Sequence, residues 1–502
     1  MSLPGTPRSL GELVSASEGA ELVHGEPTLA IGGVTQDTRR LQPGDLFVAI
    51  PGFDRDGAQF IREAISRGAS AIAGEESSPE SVPFIRVANA RRALADLAAA
   101  FYGHPSRHLP IVGITGTDGK TSTTHLVSSI LEAHGLKTGW LTTVNTKIGD
   151  DLRPNAADHT TPEAPLVQRA LAEMLAAQLD VGLLETSSHA LDLERVRAID
   201  YRVGIFTNLS PEHLNFHGSF EAYRGAKQKL FERLPAQGLA VLNGDDPSSA
   251  AMRAITRART LTYGLDNPAD FRATNIRLSP TGTTFTLLPS GIEVHSQLVG
   301  RFNVSNWLAA YAAATYFGAT PQDLVSAAAT QAPVLGRMNL VSQGQPFAVV
   351  VDFAHTPQAL EKALDTVRSI VSGRILLVFG LAGGRDHDNR PVMGAIAARK
   401  SDYFVISMDD PGHEDATAIA EQIAAGARSA GASDGEQFSI ELDRRAAIRV
   451  LFERARPDDA VLLAGKGHEQ RMVIGDERRS WNDARVAADV LSELGFEPQA
   501  VP

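Results

Sequence analysis

The chain has 502 residues, enough for about three domains, each with its own core. Its 43% hydrophobic and 21% charged content is ordinary for globular protein, and its formal charge of -12 disfavours nucleic acid and anionic membranes as partners. There is no cysteine for disulfides or thiolate chemistry, no signal-like start in MSLPGTPRSLGEL, and no apolar run near the roughly 18 residues of a membrane span, so we expect a cytoplasmic enzyme.

Residues 1 to about 105 mix short strand-like runs (DLFVAI, ASAIAG, PFIRVA) with two helical stretches, and FYGHPSRHLP reads as a linker. From Ile111 apolar runs alternate with helical ones: IVGIT, KTSTTHLVSSILEAHG, KTGWLTT, EAPLVQRALAEMLAAQ and VGLLE. That alternation predicts a mostly parallel sheet covered by helices. TTFTLL and EVHSQL look like antiparallel strands; the helical VSNWLAAYAAATYFG and 321–330 follow, with a boundary near Pro333. FAVVVDF, EKALDTVRSI, RILLVFG, DYFVISM, DAVLLAG and ARVAADVLSELG then predict a doubly wound domain. We expect an α/β protein of three domains, 1–107, 108–333 and 334–502, with a mostly parallel sheet in the second and a Rossmann-like third.

The stretch IVGITGTDGKTSTTHL resembles a phosphate-binding loop, although Ile114 stands where the usual pattern has its first glycine. A strand, a small-residue turn and a helix opening on Lys120 and Thr121 still suit an anion: glycines let backbone amides converge, the helix dipole favours negative charge, and Lys120 adds a cation. Leu126, Val127, Ile130 and Leu131 give the helix its apolar stripe, and Gly135 ends it. In GSFEAYRGAKQKLFERLP, a helix opened by Ser219, Lys227 falls on the face of Tyr223, Ala226, Leu230 and Phe231. Either its ammonium snorkels to the surface, or it is a functional amine, neutralised or carbamylated. Glu185 after VGLL, and Glu212, His213 and His217 after VGIFT, put carboxylate and imidazole at strand ends, where Mg²⁺ is readily held.

GTDGKTS, ETSSHAL, TNLSPEHLNFHG, YRGAK, GRFNVSN, VLGRMN, VDFAHTPQAL, GGRDHDNRPVMG and GKGHE occur in an order that resembles the Mur ligases of peptidoglycan synthesis, in particular those adding the third residue of the peptide. The likeness extends to DTRRLQPGDLFVAIPGFDRDG near the N-terminus. It implies UDP-binding, central ATPase and dinucleotide-binding-like domains, and ATP-dependent amide synthesis on UDP-N-acetylmuramoyl-L-alanyl-D-glutamate through an acyl phosphate. It further implies that Gly116, Thr117, Gly119, Lys120 and Thr121 hold phosphates, and that Thr121 and Glu185 bind one Mg²⁺ while His213 and a carbamate on Lys227 bind a second. Asn303, Asn306, Arg337 and Asp352 would contact ATP; Thr160, Thr161, Ser187 and Arg195 the sugar–dipeptide; and Thr38 and Arg39 the uridine region. Arg385 and Glu469 would grip the α-carboxylate and α-amine of the incoming amino acid.

Diaminopimelate-adding relatives carry Asp-Asn-Pro-Arg where this chain has DDPGHED, so Gly412 replaces the arginine and Asp410 the asparagine. With Asp409, Asp410, Glu414 and Asp415 there, charge complementarity favours a side chain ending in an ammonium, hence L-lysine or L-ornithine, with meso-diaminopimelate as the alternative. Asn339 stands where glutamate is usual, which removes a charge. A folylpolyglutamate synthetase-like ligase and an inactive nucleotide-binding scaffold are the competing readings. The ligase reading predicts a monomer using ATP and Mg²⁺, with a UDP-sugar dipeptide and a free diamino acid as its only partners.

Overall fold

Apolar runs without alternation become strands covered on both faces. The computed structural model describes residues 6–52, 56–76, 82–155, 159–279, 282–385 and 387–497. Its contacts group into two units, residues 1–272 with 306–324 and residues 273–305 with 325–502.

Besides a short antiparallel pair, Arg8–Ser9 with Ala30–Ile31, the described residues of the first unit form two larger sheets. One has the order Glu21–His24, Phe84–Arg86, Ala71–Gly74, Leu46–Val48, Val34–Thr35, antiparallel at its first pair and parallel elsewhere. Three α-helices accompany it where the sequence suggests two, since Leu10–Ala16, Ile61–Ser66 and Ala90–Phe101 are all helical. The seven-residue helix Leu10–Ala16 is pinned by a capping box between Ser9 and Glu12, which satisfies amides at its first turn. The segment read as a linker contains a 3-10 turn at Pro105–Arg107, and Leu109 beyond it is buried.

The second sheet runs Asp151–Pro154, Asn145–Ile148, Thr138–Leu141, Val181–Glu185, Ile111–Thr115, Tyr201–Phe206, Leu239–Asn243, Arg259–Gly264, and is parallel from Thr138–Leu141 onward. After Ile111–Thr115 the chain builds outward on one side, returns beside it with Val181–Glu185, then crosses to its other side with Tyr201–Phe206. The carboxyl end of Ile111–Thr115 is therefore a topological switch point, where open α/β sheets bind ligands. Glu185 pairs with Ile114 and Phe206 with Thr115, so the three central strands end nearly level. Helix Lys120–Ala133 buries Leu126, Val127, Ile130 and Leu131, each worth about 1.5–3 kcal/mol on removal from water. Helix Phe220–Glu232 starts at Ser219, whose side chain accepts from Ala222 N, and buries Tyr223, Ala226, Lys227, Leu230 and Phe231.

In the second unit Gly282–Leu288 and Ile292–Ser296 pair antiparallel. Its sheet has the order Asn339–Leu340, Ala348–Asp352, Ala460–Ala464, Ile375–Phe379, Tyr403–Ile406, Phe438–Ile440, antiparallel only at the first pair. Leu360, Leu364, Met393, Ile396, Ile419 and Ile423 bring three helices into one core, and Ile448, Leu451, Val490 and Leu491 bring two more into another. This is a doubly wound layer arrangement. Among the described residues no helix is long and apolar enough to cross a membrane.

Candidate active site

The first unit gathers cations around a backbone loop. At Gly116 (φ +152°) a Cβ would fall 1.9 Å from Thr207 Oγ1, so the close strand crossing admits no side chain. Asn208 clamps the turn: its Oδ1 accepts from Asp118 N (3.0 Å), its Nδ2 donates to Asp118 O (3.0 Å), and its carbonyl accepts from Thr117 N (2.9 Å). Thr207 Oγ1 donates to Asp118 O (2.6 Å), and Thr117 Oγ1 exchanges bonds with Ser210 N and O. Sequence reasoning passed over Thr207, Asn208 and Ser210. The signal was a polar run directly at the carboxyl end of a buried strand, with no spacing rule to say that it folds back onto the loop.

Lys120 Nζ donates to Gly116 O (3.0 Å) and Thr117 O (2.7 Å), and Lys227 Nζ donates to the same Gly116 O (2.7 Å). Neither ammonium forms a salt bridge among the described residues. Lys227 does not snorkel: it is 1% exposed, with its Nζ 4.5 Å over the Tyr223 ring. Burial, then the neighbouring Lys120 ammonium, holds its pKa well below the ordinary lysine value. Thr121 is buried in the first turn of its helix. Glu185, wholly buried, accepts from Thr143 N (3.1 Å) and Thr143 Oγ1 (2.8 Å). These residues suit a phosphate-bound Mg²⁺: buried carboxylate and hydroxyl oxygens lie on elements leading out of one switch point, beside cations lacking an anion.

His213 stands beside Glu212 (3.7 Å) and Tyr223, and its ring centroid is 4.6 Å from that of His189. Burial, then His213, lowers His189 to about 4. His217 Nε2 meets Ser188 Oγ at 3.1 Å. Thr161 Oγ1 donates to Glu185 O (2.7 Å) and bonds with Ser187, which caps helix Ser188–Asp192; Arg195 donates to Thr161 O (3.1 Å) while paired with Glu163 (2.7 Å). Thr160 is half-buried next to them. Asn306 Oδ1 accepts from Thr123 Oγ1 (3.3 Å) on the loop helix. Thr38 is buried, whereas exposed Arg39 forks over Asp37 at 2.8 and 2.9 Å.

The second unit places Arg385, Asp409 and Glu469 on one pocket with Phe353, His355 and Gly465, at the carboxyl ends of Ala348–Asp352, Ile375–Phe379, Tyr403–Ile406 and Ala460–Ala464. Arg337 lies 4.8 Å over the Phe353 ring, and Asp352 accepts from Met338 N (2.8 Å). Asn303 Nδ2 donates to Val299 O (2.9 Å). Burial, then Arg337, pushes His468 down to about 3. Asp386 of the GGRDHDN motif lies outside the described residues.

The acidic cluster from which lysine or ornithine was expected is largely paired within the chain. Lys466 Nζ meets Asp410 at 2.7 Å and Asp409 at 3.5 Å, Glu414 accepts a bidentate pair from buried Arg390 (2.6 and 2.8 Å), and Asp415 caps helix Ala416–Ser429. Four carboxylates in a row of sequence are therefore not four charges left for a substrate ammonium.

A switch-point loop with two lysines that make no salt bridge among the described residues, in a chain that also carries a doubly wound domain with an arginine–carboxylate pocket, is the equipment of an ATP-dependent acid–amino-acid ligase. Family models match in the same order: Mur ligase family, catalytic domain, at residues 30–102; Mur ligase middle domain at 114–314; and Mur ligase, glutamate ligase domain, at 336–467. A UDP-N-acetylmuramyl-tripeptide synthetase of Roseiflexus sp. is 43% identical over 93% of this chain and 95% of its own length. A UDP-N-acetylmuramoyl-L-alanyl-D-glutamate–2,6-diaminopimelate ligase of Geobacillus thermodenitrificans is 41% identical over 92% of this chain and 95% of its own. A solved structure of a ligase with that same name aligns over 98% of this chain and 100% of its own, with TM-score 0.69 and 29% identity.

The chain belongs to the Mur ligase family, and its fold is that family's three-domain α/β architecture with N-terminal, central ATPase-like and C-terminal Rossmann-like parts. The expectation of a lysine- or ornithine-adding subgroup is overturned: the Geobacillus relative and further relatives named for their amino acid are 2,6-diaminopimelate ligases.

Proposed function

We propose that this ligase joins 2,6-diaminopimelate to UDP-N-acetylmuramoyl-L-alanyl-D-glutamate with consumption of ATP. The observation that carries the reading is full-length similarity to ligases named for those two substrates. The internal pairing of Asp409, Asp410 and Glu414 supports it, because it removes the reason to expect a purely basic side chain.

A carboxylate resists attack by an amine because it has no good leaving group; transfer of phosphate to it supplies one. Gly116 to Thr121 cradle the phosphates, and Lys120 offsets charge as two anions approach. Thr121 and Glu185 would hold one Mg²⁺ and His213 a second, which when bound would supply further charge neutralisation. Lys227 is a neutral amine suited to take up carbon dioxide: its nitrogen bonds to carbon, a proton leaves, and a carbamate oxygen becomes available beside His213. Asn303, Asn306, Arg337 and Asp352 contact ATP. Thr38 and Arg39 serve the uridine end, and Thr160, Thr161, Ser187 and Arg195 the sugar–dipeptide. Arg385 takes the α-carboxylate of the amino acid, and Glu469 orients its amine for attack and receives the proton lost. The domain limits that go with these roles are 1–107, 108–333 and 334–502.

The test is phosphate release with ATP, Mg²⁺ and the UDP-sugar dipeptide, offering diaminopimelate, lysine and ornithine separately with mass detection of product. Tripeptide formation with diaminopimelate alone is expected. Product only with lysine or ornithine would sink the choice of amino acid, and no product with any of the three would sink the ligation itself.

A further inference from the structure

The GKGHE segment carries a lysine that the reading above leaves without a role. Lys466 is completely buried, and its ammonium donates to Asp410 (2.7 Å), bonds Glu469 and stands 3.5 Å from Asp409. Oxygens of these three carboxylates lie within 4.8 Å of one another, a spacing at which a cation could be held. Here the cation among them belongs to the chain. Its burial is built into the backbone: at Gly465 (φ +110°) a Cβ would sit 2.6 Å from Asp409 Oδ2, and at Gly467 (φ +51°) one would sit 2.6 Å from Phe353 Cβ. Bare backbone on both sides of the lysine is what lets it reach this depth.

The three carboxylates are not equivalent. Asp410 Oδ1 also accepts from Val473 N (2.9 Å), which turns it toward the hairpin strand Arg471–Ile474. Asp409 and Glu469 instead line the pocket that holds Arg385. Burial would drive protons off the amine, but Asp409, Glu469 and Asp410 outweigh it and raise Lys466 above its ordinary value, so the ammonium persists. One cation facing three carboxylates leaves surplus negative charge, and the two carboxylates on the pocket wall are where a substrate ammonium can meet it.

We infer that Lys466 is a positioning residue for the incoming amino acid: its buried ammonium holds Glu469 and Asp409 together at the pocket wall and sets the charge that wall presents to the substrate's amino group. The inference rests on the proposed use of this pocket for the amino acid and holds for any amino acid taken there. Without the lysine, three carboxylates at this spacing repel, take up protons or splay, and Glu469 loses the partner that orients it.

The experiment is steady-state kinetics of full-length Lys466→Met, with each substrate varied in turn and thermal unfolding measured alongside. Because one partner of a buried hydrogen-bonded charge cluster is removed, we expect the amino-acid KM to rise about 30-fold, with KM for ATP and the UDP-sugar dipeptide within about twofold of wild type. Adding Asp410→Asn removes one of the unbalanced charges and should recover part of the loss, a coupling that a merely structural lysine would not show. An unchanged amino-acid KM, or equal rises for all three substrates, overturns the inference. If Lys466→Met does not fold, Lys466→Gln keeps donors without the charge and carries the same expectation. If neither neutral variant folds while Lys466→Arg does, the lysine is a fold element and the inference fails. A wild-type enzyme inactive with every amino acid would instead mark failure of the proposed function.

Discussion

Around Gly116 two lysine nitrogens converge on one backbone carbonyl, whereas around Lys466 three carboxylates converge on one ammonium. The Lys120 ammonium makes no salt bridge among the described residues, and the pocket holds most of its own counter-charge. A phosphate brings several negative charges and needs a site already paid for by strained geometry and gathered cations. An amino acid brings both signs at once and needs a wall of nearly balanced charge that fixes its orientation. The difference teaches that charge counted along a sequence says little until its partners are known: DDPGHED looks like a cation trap and is largely closed by Lys466 and Arg390, while GTDGK looks ordinary and carries the unpaired charge.

If that contrast is right, the largest effect belongs to the loop. Lys120→Ala should lower kcat about 10³-fold in phosphate release, since it removes charge stabilisation where phosphate is transferred. A loss under tenfold would break the comparison. Lys227→Ala should cost about 10²-fold and be partly restored by short carboxylates such as acetate or formate, on the reading that a carbamate serves as a metal ligand. Full activity, or no rescue at any concentration, would count against the carbamate.

The pocket should answer through affinity instead. Arg385→Ala is expected to raise the amino-acid KM by about 30-fold with little change in KM for ATP. Equal changes in both would mean that the two regions are not chemically separate.

Buried histidines sharpen the comparison by pH. His125 in the first unit is lowered to about 4, by burial and then Lys147, and His468 in the second to about 3. Each folded site refuses a proton that the unfolded chain takes near 6.5. Their contributions to stability are thus complete above that value and are lost as pH falls through it, toward about 4 for His125 and about 3 for His468. Thermal unfolding between pH 7 and 3 should show a shallower decline for His468→Phe than for wild type; parallel curves would contradict the assignment.

The smallest effect is expected at Gly412→Arg. A Cβ there meets nothing within 4 Å, although φ of +57° makes a side chain strained by roughly 1–2 kcal/mol. An added guanidinium should lower the diaminopimelate KM only a few-fold, as expected of an exposed pairing. Competition between diaminopimelate and lysine would register it, and a shift toward lysine would reverse the sign.

Local chemistry settled much of this protein in advance. The alternating apolar and helical runs, the stripe of Leu126, Val127, Ile130 and Leu131, and the helix face that Lys227 shares with Tyr223 and Leu230 follow from periodicities of two and 3.6 residues, which neighbouring residues alone determine, whereas the burial of its ammonium was left open there. Motif order was likewise enough for the ligase family. Short helices such as Leu10–Ala16 are less legible because a capping box, rather than a long stripe, holds them. What only the tertiary structure decided were pairings between residues far apart in the chain: Asn208 on the phosphate loop, Lys227 with Lys120 on one carbonyl, and Lys466 closing an acidic stretch some 56 residues upstream. Charge compensation depends on distance in space and on burial, and neither is written in the order of the letters.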